Sequence, residues 1–147
     1  MRFLAFLLAL MPAIAMAAPE VMTAEEARAA QQAGDIVLVD IRTPQEWAEG
    51  GMPEGAVPLT MQDPEFIPKL QQVLERSNGA PVAMICRTGS RSGYVTSRLE
   101  EAGLTTIIDV SEGVYGSSKG PGWLKRGLPV EQPDAETFQK RLEALGE

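Results

Sequence analysis

Short apolar runs rich in β-branched residues alternate along this chain with stretches of helical spacing. The run Ile36 to Ile41 is nearly unbroken in its apolar character, as a strand buried on both faces requires. Val82 to Ile85 and Thr105 to Val110 repeat that pattern, and Ala56 to Leu59 reads as a shorter strand. Thr23-Ala24-Glu25-Glu26 has the form of a capping box and opens a helix through about Ala33, closed by Gly34. Thr43 as N-cap and Pro44 at the first helical position begin a short helix through Glu49. A third helix starts at Asp63 or Pro64 and runs to about Arg76, ended by Ser77-Asn78-Gly79. A fourth spans about Ser92 to Glu101 and stops at Gly103, and a last one, capped by Asp134, runs from there to Leu145. The segments 50–55 and 111–127 are rich in glycine and read as loops.

Strands that alternate with helices predict an α/β fold, with a parallel sheet covered on both faces. Sites in such sheets lie at the carboxyl ends of the strands. Asp40, Arg42, Cys86 and the loop after Val110 are all expected on that edge.

The first residues carry a different signal. Arg2 is followed by an apolar stretch to Met16, and Ala15-Met16-Ala17 places small residues where a signal peptidase reads. The stretch is short for a membrane span and contains Pro12. A signal peptide over 1–17, cleaved before Ala18, is expected, leaving 18–147 as one domain in the periplasm or outside the cell, with no membrane contact after cleavage. The formal charge is −7 for 147 residues, which argues against nucleic acid or anionic lipid as a partner.

There is one cysteine and no histidine. Cys-His and Ser-His-Asp catalysis and zinc sites therefore have no ligand or base set. The seven methionines are scattered and read as core filling rather than a copper site. A lone cysteine in an exported chain is buried and inert, paired with another molecule, or reactive. Cys86 closes a strand and opens the turn Arg87-Thr88-Gly89-Ser90-Arg91 ahead of a helix. Backbone N–H groups and the helix dipole there favour an anion, and Arg87 and Arg91 add positive charge, which favours the reactive reading. Asp40 and Arg42 at a strand end read first as a pair or as caps of neighbouring loops; their functional alternative is support of the cysteine loop. Trp47 and Trp123 read as packing, and Tyr115 and Lys119 as parts of a solvated loop.

The turn Cys86-Arg87-Thr88-Gly89-Ser90-Arg91 resembles the active-site loop of the rhodanese sulfurtransferases, of the form Cys-Arg-x-Gly-x-Arg. Asp40-Ile41-Arg42 followed by Glu46-Trp47 resembles the family's amino-terminal segment. Gly50-Gly51-Met52-Pro53-Glu54-Gly55-Ala56 is similar to its Gly-His-Ile-Pro-Gly-Ala element, with Gly51 in the histidine's place and Glu54 inserted. Gly122-Trp123 and Gly127-Leu128-Pro129-Val130 resemble its carboxyl-terminal element. The resemblance implies a three-layer α/β/α fold with a central, mainly parallel five-stranded sheet.

It also implies a mechanism without cofactor or metal. The Cys86 thiolate takes the outer sulfur of a small anionic donor such as thiosulfate, sulfite leaves, and the persulfide passes its sulfur to cyanide, a thiol or a partner protein. Residues 87 to 91 would cradle the persulfide, with Arg87 and Arg91 on the donor. Two other readings stand beside this one. The chain could be a persulfide carrier for a partner protein. It could also perform phosphatase or arsenate-reductase chemistry, although those loops are Cys-x5-Arg, one residue longer than the spacing from Cys86 to Arg91. The arginine directly after the cysteine favours thiosulfate over 3-mercaptopyruvate.

Overall fold

A computed structural model describes residues 20–147. The expected signal peptide lies outside the described residues. Among those described, no helix is long and apolar enough to cross a membrane.

The strands are β1 (Glu20–Met22), β2 (Val37–Asp40), β3 (Met52–Pro53), β4 (Val57–Pro58), β5 (Val82–Ile85), β6 (Ile107–Val110) and β7 (Val130–Glu131). The helices are α1 (Ala24–Gln32), α2 (Pro44–Gly50), α3 (Phe66–Arg76), α4 (Ser90–Glu101), α5 (Gly122–Lys125) and α6 (Thr137–Ala144). Five strands form one sheet in the order β1-β6-β5-β2-β4, and every pair in it is parallel. β3 and β7 form a separate antiparallel pair.

The apolar runs divide between two cores because successive side chains in a strand face opposite ways. Val37, Val39, Val82, Met84 and Ile107 meet Leu70 and Val73 of α3, Val95 and Leu99 of α4 and Leu142 of α6. Leu38, Ala83, Ile85, Ile108 and Val110 meet Ala24 and Ala27 of α1, Trp47 of α2 and Trp123 of α5. The result is the expected three-layer arrangement around a parallel five-stranded sheet. Both tryptophans are buried packing residues, as expected.

Several boundaries differ from the sequence reading for local reasons. Asp63 and Pro64 precede α3 rather than belonging to it, because the Asp63 carboxylate accepts from the Glu65 N–H and from Lys69. Asp134 likewise accepts from the Glu136 N–H and the Thr137 hydroxyl, so α6 starts only at Thr137. The loop expected over 111–127 contains the single turn α5. Strands β1, β3 and β7 were not expected, being too short to show a period.

Candidate active site

β5 delivers Cys86 to the carboxyl edge at the centre of the sheet, between β6 and β2. The thiol is fully buried. Its Sγ receives the Gly89 N–H at 3.1 Å and the Ser92 N–H at 3.4 Å, with the Ser92 Oγ also 3.4 Å away. The loop can turn this tightly because Gly89 is left-handed at φ 90°. A Cβ at Gly89 would run into the Ser111 carbonyl oxygen. Gly89 is also the N-cap of α4, so the sulfur sits at the amino end of a 12-residue helix. The helix therefore begins at Ser90, two residues before its expected start.

The loop after β6 locks the turn from outside. The Val114 N–H donates to the Cys86 carbonyl and the Tyr115 N–H to the Arg87 carbonyl, each at 2.9 Å. That loop is in turn anchored by the buried Glu112. Its carboxylate accepts from the Ala24 N–H at 2.6 Å and from Arg126 at 2.7 Å, which ties it to the start of α1. Glu112 gave no signal in the sequence, since its partners are remote.

The two arginines of the loop differ. Arg87 is exposed, with its guanidinium 4.4 Å from the centre of the Tyr115 ring. Tyr115 is thus a half-buried platform beside the cysteine loop rather than a solvated loop residue, while Lys119 is exposed. Arg91, expected on the donor, instead gives two N–H groups to Glu46, at 2.6 and 2.8 Å. Glu46 also closes the capping box of α2 with Thr43. The Arg91 guanidinium holds the Glu46 carboxyl down at about 2. Glu46 raises Arg91 in return, and the nearby Cys86 and Asp40 charges add to that. Thr88 and Ser90 are exposed at the mouth of the turn.

Asp40 and Arg42 are both fully buried and paired at 2.7 Å, with the Arg42 N–H also donating to Asp40. Burial pushes the Asp40 carboxyl up, and its bonds to Arg42 pull it back. The other partner of Arg42 is the Gly51 carbonyl, at 2.7 Å. The pair therefore secures the turn after α2, and its hydrogen bonds do not reach the cysteine loop. Gly51, where the related element carries histidine, has φ 78°, and a Cβ there would lie 2.9 Å from Val130. β7 occupies the space a side chain would need. A cleft of about 460 Å³ lined by Trp47, Leu59, Lys69 and Phe138 contains no residue of the cysteine loop.

Residues 23–119 match the Rhodanese-like domain. A sulfurtransferase of Allochromatium vinosum is 29% identical over 106 residues, covering 68% of this chain and 82% of that protein. Among solved structures, an M. tuberculosis protein superposes with a TM-score of 0.63 at 26% identity, covering 80% of this chain and 100% of the other. The polysulfide-sulfur transferase homodimer of Wolinella succinogenes matches with a TM-score of 0.54 at 28% identity, covering 80% and 81%.

Proposed function

This chain belongs to the rhodanese-like domain family of sulfurtransferases, and on that premise we propose that it transfers a sulfane sulfur from thiosulfate through a persulfide on Cys86. The observation that carries this reading is the pair of backbone N–H groups, from Gly89 and Ser92, on a sulfur at the amino end of α4. They stabilise a thiolate and would equally hold a persulfide anion. The thiolate attacks the outer sulfur of thiosulfate, the S–S bond of the donor breaks, and its electron pair leaves with sulfite. The acceptor then attacks the outer sulfur of the persulfide and returns Cys86 as thiolate. Cyanide becomes thiocyanate, and a thiol becomes its own persulfide. No general base is needed once the thiolate exists.

Arg87 is the arginine we assign to the donor, because Arg91 is already matched by Glu46. That assignment refines the sequence expectation, in which both arginines shared the role. The intact mass of the protein after thiosulfate, 3-mercaptopyruvate or polysulfide tests the reading. Gain of one sulfur atom from thiosulfate, lost again with cyanide, is expected. No added sulfur from any of the three would overturn it.

The carrier reading is favoured by one surface. Tyr94 is 63% exposed one helical turn beyond Arg91, and Ile67 of α3 is 50% exposed; both line the same shallow groove. Transfer to a protein thiol that is much faster than transfer to cyanide would select the carrier. We also propose export, with the mature chain starting at Ala18. Amino-terminal sequencing of the protein from the periplasmic fraction tests it.

A further inference from the structure

Sulfur transfer by backbone donors does not call for an acid, yet a buried acid stands beneath the helix turn that holds this sulfur. Asp109 belongs to β6, in register with Met84 of β5 and Val21 of β1. Alternation along β6 turns it to the same face as Ile107, which packs with Val95 and Leu99 of α4. It is only 4% exposed, and its Oδ1 has no hydrogen-bond partner among the described residues. Its space comes from Gly93, whose Cβ, if present, would lie 3.4 Å from the Asp109 Oδ2. The carboxyl therefore lies under the first turn of α4, the turn in which Ser92 presents its N–H and Oγ to the Cys86 Sγ.

Ser92 has one hydroxyl hydrogen and several claimants for it. The Sγ is 3.4 Å away and the Gly89 carbonyl 3.3 Å. The Asp109 carboxyl is the third. Burial pushes Asp109 up, and the neighbouring Ser92 hydroxyl and the charge of Lys119 ease that cost. The other elements against Asp109 present no charge, since α4 offers Ser92 and Gly93, β5 offers Met84 and β1 offers Val21.

We propose that Asp109 is a positioning residue for the sulfur anion, deciding through Ser92 whether that hydroxyl donates to Cys86. Protonated, Asp109 donates to the Ser92 Oγ, and the Ser92 hydrogen turns to the sulfur. Ionised, having lost its proton to solvent, Asp109 accepts the Ser92 hydrogen. The sulfur then loses a donor and gains a negative neighbour. This rests on Cys86 being the sulfur-carrying nucleophile.

The test is the ultraviolet absorbance of the thiolate against pH, which a single-cysteine protein gives without assignment. It needs no sulfur donor. In Asp109→Asn, whose amide can donate to Ser92 at every pH, the thiolate should appear at lower pH. At the half-point of the unchanged protein it should be more abundant relative to the thiol by about threefold or more. Asp109→Ser, smaller and also neutral, should move the curve the same way. In a Ser92→Ala background the Asp109→Asn displacement should fall to less than half. Superimposable curves for the unchanged protein and both Asp109 variants would overturn the proposal. An undiminished displacement in the Ser92→Ala background would overturn the route through Ser92. If the curves move as expected but no donor loads sulfur, the sulfurtransferase reading fails and not this one.

Discussion

The Cys86 sulfur is met by backbone N–H groups, with no histidine beside it. In a chain without histidine, these donors and the amino end of α4 stand where a paired base would otherwise stand. Cys86→Ser should therefore abolish persulfide formation while leaving the melting temperature within a few degrees, since it exchanges sulfur for oxygen in a filled space; mass spectrometry and thermal denaturation check both halves. Among the described residues, Arg87 is paired with no carboxylate. Removing its charge-assisted contact to a dianionic donor should cost on the order of 1–2 kcal/mol, a roughly tenfold loss in kcat/KM for thiosulfate. Added salt should weaken the unchanged protein towards the Arg87→Ala variant. If Arg87→Ala leaves thiosulfate kinetics untouched, the donor does not sit on Arg87. Gly89→Ala faces both the φ of 90° and the Ser111 carbonyl, so it should lose far more activity than stability; the measurement is kcat beside the unfolding midpoint.

Between elements, the Glu46–Arg91 pair ties α2 to α4. Glu46 contributes twice, closing the cap of α2 and binding the arginine that lies within the sulfur's cradle. Its folded-state value of about 2 lies below the ordinary 4.5. A carboxyl depressed on folding contributes stability above its unfolded value and loses it as pH falls through the folded one. The pair is partly solvated, so the contribution is discounted to about 1–2 kcal/mol. Glu46→Gln should thus be less stable by that amount at pH 7. The difference should shrink as pH falls from about 4.5 towards 2, as urea unfolding at several pH values would read. An equal deficit at pH 7 and pH 3 would mean the loss comes from the cap and not from the charge. The sequence offered the Cys86 turn because its residues are contiguous, and Thr43 and Glu46 because a capping box has a fixed spacing. It could not offer Glu46 as the partner of Arg91, 45 residues away, nor Asp109 beside Ser92, because those meetings exist only once β6 and α2 are placed. The same limit gave Asp40 and Arg42 their correct pairing, two residues apart, but not their true target, Gly51.

For the molecule as a whole, the sheet order places β1 at an edge against β6, and β6 carries Asp109 and leads into the loop that grips Cys86. A three-residue strand gives no period to read, yet it shields one side of the element on which the site depends. Its position matters for the proposed export. Cleavage before Ala18 leaves two residues ahead of Glu20, where β1 begins. A cut a few residues later would remove it. A chain starting at Thr23 should expose the β6 edge, a template for pairing with other chains. Losing the ladder Glu20 to Met22 should cost roughly 1–3 kcal/mol at about 1 kcal/mol per hydrogen bond. Chains starting at Ala18 and at Thr23, compared by urea midpoint and by light scattering on heating, test this directly. Equal midpoints would mean that β1 is only laid against the sheet. A lower midpoint with weaker persulfide formation would tie the processing site, through β6, to the stability of the cysteine loop.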